Sequence, residues 1–274
     1  MNKRKEWMKN LLGVILVAVF LFPVYWMIIT AFKTQTEIFQ SPPTFFPKEF
    51  QISSFITILQ GGDITQYFMN SVIISSLATL LVLLLAVPSA YGLARFKIRG
   101  IKTMLLIYLV TQMLPATVVL TPLFIVFNNL NLLNSYWGGP VLATSTLGIP
   151  FSVLLLRTFF IGIPKELEEA AKIDGCSRLR AFLQVIIPIS IPSIVVCGAI
   201  SFFFAWGDLI YSITFNRNQD LWPLTAGIYN AIGRYGIEWN NLMSFATISV
   251  IPVIIIFILL QKHLVEGLVS GSVK

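Results

Sequence analysis

Residues 168–188 read EEAAKIDGCSRLRAFLQVIIP, and this stretch gathers charged side chains around two consecutive alanines. It lies between two of the most apolar runs of a chain that is 56% hydrophobic and only 11% charged. Soluble domains carry about 25% charged residues. The composition therefore predicts a membrane protein, and a stretch this charged is expected at the membrane surface.

Apolar runs near or above 18 residues recur on both sides of this stretch and predict membrane-spanning helices. Six are predicted: Leu11–Ala31, Asn70–Leu93, Met104–Phe127, Gly138–Leu156, Ile189–Ile210 and Leu242–Leu260. The first run is about twice as long as the core of a signal peptide, and no A-x-A site follows it, so we expect it to be retained. The predicted fold class is an all-α integral membrane protein with six transmembrane helices.

The net charge of +7 is distributed unevenly across the predicted membrane. All of the 19 Lys and Arg residues except Lys33, Lys48, Arg217 and Arg234 fall on one side. The positive-inside rule makes that side the cytoplasm and places both termini there. Because this distribution accounts for the positive charge, nucleic acid is not a predicted partner.

The segments outside the spans are short. The predicted organisation is a cytoplasmic N-terminus (1–10), a first span (11–31), an external loop (32–69), a membrane core (70–262) with a cytoplasmic elbow (164–188), and a cytoplasmic tail (263–274). Segments below about 40 residues rarely fold alone. A domain that binds ATP or captures solute must therefore be a separate polypeptide.

No recognisable catalytic motif occurs in the sequence. Cys176 and Cys197 form no C-x-x-C pair, and His263 is the only histidine, so neither a metal site nor a disulfide framework is indicated. The phosphate-binding pattern G-x-x-x-x-G-K-[ST] is absent. We therefore expect a chain that is not an enzyme and holds no cofactor or metal.

The charged stretch itself predicts two helices joined by a turn. Pro164 suits the first position of a helix, and Gly175 suits the left-handed residue that ends it. Ser177 is expected to cap a second helix that continues into the fifth span. Glu168 and Lys172 have the spacing of an i,i+4 ion pair.

One side of the first elbow helix is predicted to be a shallow surface that another protein can approach closely. It is formed by residues that helical periodicity places together, namely Leu167, Ala170, Ala171 and Asp174. Glu169 and its charged neighbours would pair with basic residues at the rim. On these physical grounds, a docking surface and an ordinary solvated connector remain equally open.

The spacing of this stretch resembles a known signature. Glu169-Ala170-Ala171, three residues, Gly175, nine residues, Val185, one residue and Ile187-Pro188 resemble the EAA motif of ABC importer permeases. That motif reads EAA, three residues, G, nine residues, I, one residue, LP. Further stretches, including NSVIISSLATLLVLLLAVPSAYGLARFKIRG and the ending QKHLVEGLVSGSVK, resemble the second membrane subunit of the carbohydrate (maltose-type) branch.

The resemblance implies a type I ABC importer permease fold and a multi-pass protein of the bacterial inner membrane. The elbow would then be a coupling helix that docks with an ATPase subunit through Leu167, Glu169, Ala170, Ala171, Asp174 and Gly175. The C-terminal tail would reach the ATPase subunits through Gly267, Ser270 and Gly271. The implied partners are a second homologous permease chain, two ATPase subunits that carry ATP and Mg, and an external solute-binding protein that meets Asn216–Asn240.

Four residues are candidates for the pathway or for a subunit contact: Asp208, Trp206, Phe203 and Asn70. Asp208 is the only acidic residue placed within a predicted span, where charge is costly and often functional. Aromatic residues of the fifth span could stack on sugars, but they also suit an aromatic belt at the membrane interface. The implied substrate is a sugar or oligosaccharide. The alternatives are an ABC importer for another solute, an ion-gradient-driven secondary carrier and a membrane-embedded enzyme.

Overall fold

The computed structural model describes residues 3–61, 63–235 and 238–270, and these ranges contain helices and turns but no strand. The α-helices are α1 (Lys3–Ala31), α2 (Gln35–Ile38), α3 (Ser53–Gln60), α4 (Asp63–Arg95), α5 (Ile101–Met113), α6 (Ala116–Asn129), α7 (Thr144–Gly162), α8 (Glu166–Ile173), α9 (Arg178–Ala181), α10 (Ile187–Trp206), α11 (Ile210–Phe215), α12 (Leu224–Tyr235) and α13 (Trp239–Ser270). Two wider π-helical segments, Trp137–Ala143 and Phe182–Ile186, lead into α7 and α10, and a 3-10 turn at Gln219–Leu221 precedes α12.

Five helical segments within the described ranges are long and apolar enough to cross a membrane. They are Trp7–Ala31, Ile64–Arg95, Trp137–Gly162, Arg178–Trp206 and Trp239–Lys262. Helices α5 and α6 would make a sixth span if counted together. The all-α class and the positions of the apolar helices therefore agree with the sequence-based prediction, apart from two details.

The first correction concerns the third predicted span, Met104–Phe127, which is broken. Helices α5 and α6 meet at a bend of 102°. At the break Leu114 is extended, with φ −73° and ψ 125°, and Pro115 follows with ψ 137°. Proline disfavours the α conformation in the residue before it, so the sequence Leu-Pro ends α5. The predicted run is therefore divided between two helices that together could make one bent span.

The second correction concerns the fifth predicted span, Ile189–Ile210. Helix α10 ends at Trp206, and Asp208 lies in the short connection before α11. Gly207 follows the last helical residue with φ −84° and ψ −1°, and its N–H still donates to the carbonyl of Phe203 at 3.0 Å. Asp208 therefore lies beyond the helix in which the sequence pattern placed it.

The chain divides into two compact units. The first comprises residues 1–65 and 227–251, and the second comprises residues 66–226 and 252–274. The elbow, defined as residues 164–188, lies entirely in the second unit. The predicted external loop 32–69 lies mostly in the first unit, and it contains α2, α3 and the start of α4.

Small residues bring α4, α7 and α10 of the second unit close together. A Cβ atom on Gly148 would lie 2.8 Å from Cγ2 of Val82, and one on Gly198 would lie 3.3 Å from a side chain of α4. The hydroxyl oxygens of Ser152 and Ser201 are 3.4 Å apart in the buried interface between α7 and α10. Close backbone approach through Gly and Ser is typical of helix packing in membranes. These helices form the frame from which the elbow projects.

Candidate functional site

The first elbow helix, α8, ends at a glycine-dependent turn. Gly175 adopts the left-handed conformation, with φ 82°. Its N–H donates to the carbonyl of Lys172 at 3.0 Å, and the N–H of Cys176 donates to the carbonyl of Ala171 at 2.9 Å. This pair of bonds is a Schellman motif, which satisfies the last carbonyls of a helix. The predicted stop at Gly175 is confirmed.

The second elbow helix, α9, begins at Ser177, whose hydroxyl oxygen accepts a hydrogen bond from the N–H of Arg180 at 3.3 Å. This is the predicted N-cap. The helix then widens into the π-helical segment Phe182–Ile186 and continues as α10. Pro188 has no N–H to donate to the carbonyl of Gln184, so an ordinary α-helical bond is missing where the helix widens.

The two sides of α8 differ in their surroundings. Leu167, with 40% of its surface exposed, lies on the open side together with Ala170 and Asp174. Glu168 and Ala171 face the rest of the chain and are buried within the second unit. Ala171 is four residues from Leu167 and shares its helical face, so packing against the chain, rather than periodicity, separates the two groups. The open side carries a small apolar surface with acidic residues beside it, as a docking surface requires.

The structure corrects two details of the predicted surface. Ala171 has only 7% of its surface exposed, so it anchors α8 to its own chain and does not belong to the open side. Glu168 was predicted to pair with Lys172, but its carboxylate faces inward to Arg95, with Oε1 2.5 Å from the guanidinium Nε. The other predicted docking residues, Glu169 and Gly175, are exposed.

Sequence reasoning missed two features of the elbow. Ile173 is 87% exposed and Leu179 is 66% exposed, so the turn between α8 and α9 carries apolar groups at its tip. The hydroxyl of Tyr91 donates to Oε2 of Glu168 at 2.9 Å, which completes the inward-facing ion pair with Arg95. The three-residue spacing of Ala170 and Ile173 was a signal for the first feature. No local pattern indicated the contact of Glu168 with Tyr91 and Arg95, because these residues are far apart in the sequence.

The predicted pathway residues on α10 and after it lie in packed surroundings. The ring of Trp206 is stacked on Phe202, with centroids 5.5 Å apart, and meets Phe68 edge-on at 6.0 Å. Phe203 is partly buried and also contacts Phe202. Asp208 accepts hydrogen bonds from the N–H of Ser212 at 2.9 Å and from its hydroxyl at 2.8 Å. Asp208 therefore caps α11, which is a structural use of its charge.

Asn70 also has a structural role in this chain. Its amide nitrogen donates to the carbonyls of Asp220 at 2.7 Å and Trp222 at 2.8 Å. Its amide oxygen accepts from the hydroxyl of Tyr136 at 2.8 Å. The neighbouring Ser71 hydroxyl accepts from the N–H of Leu224 at 2.8 Å. This end of α4 is thus fastened to residues 220–224.

The remaining predicted contacts belong to the C-terminal tail. The backbone of Gly267 and Ser270 is helical and forms the end of α13. Gly271 lies outside the described residues. In the described ranges no three His, Cys, Asp or Glu residues converge in a way that could hold a metal ion.

Comparison with known proteins adds to this geometry. Residues 83–269 match the family described as "Binding-protein-dependent transport system inner membrane component". The sulfoquinovosyl glycerol transport system permease protein SmoH of Agrobacterium fabrum is 32% identical over 254 residues, which cover 93% of this chain and 89% of SmoH. The diacetylchitobiose uptake system permease protein DasC of Streptomyces coelicolor is 31% identical over 265 residues, which cover 97% of this chain and 96% of DasC.

A solved structure shares the fold. It is a chain of a bacterial ABC transporter involved in the import of the acidic polysaccharide alginate, with a TM-score of 0.78 and 21% sequence identity. The alignment covers 96% of the present chain and 98% of that chain. The two chains therefore share the same overall fold.

Proposed function

This chain belongs to the family of binding-protein-dependent transport system inner membrane components, and from that premise we propose that it works as the permease subunit of an ATP-driven sugar importer. Its relatives are permease proteins of sugar transport systems, and its fold is that of type I ABC importer permeases. We propose that the elbow couples it to an ATPase subunit.

The observation that carries the coupling role is the division of α8 into an open side and an anchored side. The motif residues Glu169 and Ala170 face outward, where a partner protein can reach them. The apolar tip at Ile173 adds exposed surface of the kind that protein interfaces bury. Leu179 of α9 is also exposed, so the elbow presents two bulky apolar side chains that a partner protein could bury.

The proposed orientation follows from charge. The elbow and both termini lie in the cytoplasm because the Lys and Arg residues concentrate on that side of the spans. The membrane is the inner membrane of a bacterium. The chain supplies half of the translocation pathway, and a second homologous permease chain supplies the rest.

The other partners are proposed from the family. Two ATPase subunits bind ATP and Mg and hydrolyse the nucleotide, and the tail residues Gly267, Ser270 and Gly271 approach them. An external solute-binding protein delivers a sugar or oligosaccharide to the side that carries Asn216–Asn240. The sugar class is supported by the names of two relatives, a sulfoquinovosyl glycerol permease and a diacetylchitobiose permease.

The rival functions predict different energetics. A secondary carrier would take up solute on an ion gradient without ATP, whereas the proposed importer requires ATP hydrolysis. The two are distinguished in proteoliposomes that contain the complex purified through a tag on this chain, with ATP inside or an imposed proton or sodium gradient. Uptake from a panel of labelled mono-, di- and oligosaccharides also separates a sugar importer from an importer of another solute.

The coupling role is tested by Glu169→Lys, which reverses a charge on the open side of α8. We expect the ATP hydrolysis that co-purifies with the tagged chain to fall about tenfold or more, because charge reversal at an interface typically costs at least the 1.4 kcal/mol that corresponds to tenfold. Glu49→Lys makes the same change on an exposed residue outside the elbow and serves as the control. Normal ATPase association and transport in Glu169→Lys would contradict the proposal.

A further inference from the structure

The carboxylate of Glu168 joins α8 to the end of α4. Its Oε1 lies 2.5 Å from Nε of Arg95, and its Oε2 accepts from the hydroxyl of Tyr91 at 2.9 Å. The Arg95 and Glu168 side chains are only 6% and 11% exposed. Each oxygen of Glu168 therefore has a partner on α4, and both partners lie within one turn or so of each other on that helix.

Arg95 has a second contact that strengthens the junction. Its Nη2 donates to the carbonyl of Ile163 at 2.8 Å, and Ile163 is the residue that follows α7. Arg157 of α7 in turn donates through Nε to the carbonyl of Leu93 at 3.3 Å. The guanidinium group of Arg95 therefore joins α4 both to Ile163, which follows α7, and to Glu168 in α8.

Apolar groups surround this junction. The ring of Tyr91 lies 4.4 Å from that of Phe182 and 5.9 Å from that of Phe160, measured between centroids. Ala171 closes the same side of α8. Water is largely excluded here, and in some proteins buried ion pairs fix geometry more than they add stability.

The opposite end of α4 is also fastened. Asn70 and Ser71 bind residues 220–224 through three hydrogen bonds. Residues 70 and 91 are about 32 Å apart along a continuous helix with a rise of 1.5 Å per residue. Helix α4 is therefore one unbroken helix, with Pro88 inside it, that contacts the elbow near one end and residues 220–224 near the other.

We propose that the ion pair between Glu168 and Arg95 is a clamp that makes α8 and α4 move as one body, so that a displacement of the elbow reaches residues 220–224. This proposal rests on the proposed coupling role of the elbow. In this role Glu168 and Arg95 are positioning residues that transmit movement. The clamp predicts that the distance between α8 and α4 stays constant while the importer changes state.

The test measures that distance by pulsed electron paramagnetic resonance in the complete complex in nanodiscs. Spin labels are attached at Ile173→Cys on α8 and Leu84→Cys on α4, two exposed positions, in a chain that also carries Cys176→Ser and Cys197→Ala. The probe is a non-hydrolysable ATP analogue. With an intact clamp, we expect the same distance with and without the analogue.

In Glu168→Gln we expect the analogue to change the distance by about 2 Å or more, the size of typical helix shifts between functional states. Arg95→Gln and the double variant should give a change at least as large, because both also remove the hydrogen bond from Arg95 to the carbonyl of Ile163. Arg99→Gln neutralises an exposed neighbouring cation and should behave as the parent chain. A parent distance that changes with the analogue, or a Glu168→Gln distance that does not, would overturn the proposal.

Two controls keep the result interpretable. A second pair of labels, at Leu84→Cys and Ile191→Cys, reports the packing of α4 and α10. If Glu168→Gln disturbs this packing, Arg95→Lys replaces it as the test variant. For Arg95→Lys we expect an intermediate change in the distance between α8 and α4. The spectrum of the single label at Ile173→Cys reports contact with the ATPase subunit. A label that stays equally mobile with and without that subunit would mean that the proposed coupling role fails, whatever the state of the clamp.

Discussion

Two buried glutamates, one in each unit, are held in different ways. Glu37 accepts hydrogen bonds from the Thr44 hydroxyl at 2.6 Å and from the Lys48 N–H at 3.0 Å, so its partners are at most 11 residues away in the sequence. Glu168 is held by α4, and its partner Tyr91 lies 77 residues away. The first glutamate organises its own segment, whereas the second joins separate helices.

This difference determines how far from the substituted residue the structure should be disturbed. Around Glu37, the ammonium of Lys33 also donates to the carbonyl of Thr44 and lies 4.6 Å from the centre of the Trp26 ring. All of these contacts stay within residues 26–48. Loss of Glu37 should loosen that segment alone, while loss of the Glu168 contact should affect the junction of α4, α7 and α8.

The largest effect is expected for Arg95→Ala. This change leaves Glu168 as a buried charge without its counter-ion, and breaking a buried pair in this way typically costs about 3–5 kcal/mol. The measurement is the thermal unfolding of the purified complex in detergent. Arg99→Ala, which truncates an exposed arginine in the connection that follows α4, is the control, and equal unfolding temperatures for the two variants would show that the ion pair contributes nothing.

A smaller and more local effect is expected for Glu37→Gln. Hydrogen bonds to a charged acceptor contribute about 1.5–3 kcal/mol, and the amide can replace only part of them. Hydrogen exchange should accelerate in residues 33–50 and remain unchanged in α8. Glu49→Gln, an exposed change nearby, is the control. Faster exchange in α8 of the Glu37→Gln variant would contradict the division between local and long-range contacts.

Acidification should reproduce the Glu37 effect without a mutation. The hydrogen bond from Thr44 lowers the pKa of Glu37 below its ordinary value, against the opposing effect of burial. A carboxyl group with a lowered pKa stabilises the folded state above its unfolded pKa, and this contribution is lost as the pH falls through the folded pKa. Protection from exchange in residues 33–50, measured relative to the intrinsic exchange rate at the same pH, should therefore fall below about pH 4, and Glu37→Gln should remove this pH dependence. A variant that keeps the full dependence would assign it to another group.

The smallest effect is expected for Lys172→Gln. The sequence suggested Lys172 as the partner of Glu168, but the carboxylate faces Arg95 and Lys172 is exposed. Surface changes of this kind usually alter the free energy of unfolding by less than about 0.5 kcal/mol. A loss comparable to that of Arg95→Ala in the same thermal unfolding experiment would show that Glu168 is held by Lys172 after all.

The contrast between local and distant contacts also explains what could be predicted from the sequence. Gly175 and Ser177 act on residues within a few positions of themselves, so the turn between α8 and α9 was predicted correctly. The long apolar runs also predicted the spans, because hydrophobicity is read from consecutive residues. The break at Leu114 and Pro115 was predictable in principle from the restriction that proline imposes on its neighbour, but the apolar run continues through it and concealed it.

The inward side of α8 could not be predicted in this way. Spacing shows that Glu168 and Ala171 share a side, but it does not show which side packs against the chain. That depends on Arg95 and Tyr91, which come close only when α4 and α7 pack together. The role of Asp208 was missed because its cap on α11 requires α10 to end at Trp206, and the apolar pattern continues beyond that residue.

The proposed coupling requires an α8 helix that is open to a cytoplasmic partner on one side and anchored to its own chain on the other. Accessibility of introduced cysteines in inside-out membrane vesicles tests this directly, with Cys176→Ser in the background. A membrane-impermeant maleimide should label Ile173→Cys rapidly in vesicles stripped of peripheral proteins, slowly when the ATPase subunits are retained, and should leave Ala171→Cys unlabelled in both. Equal labelling of the two positions, or labelling of Ile173→Cys only from the outer side of the membrane, would contradict the account.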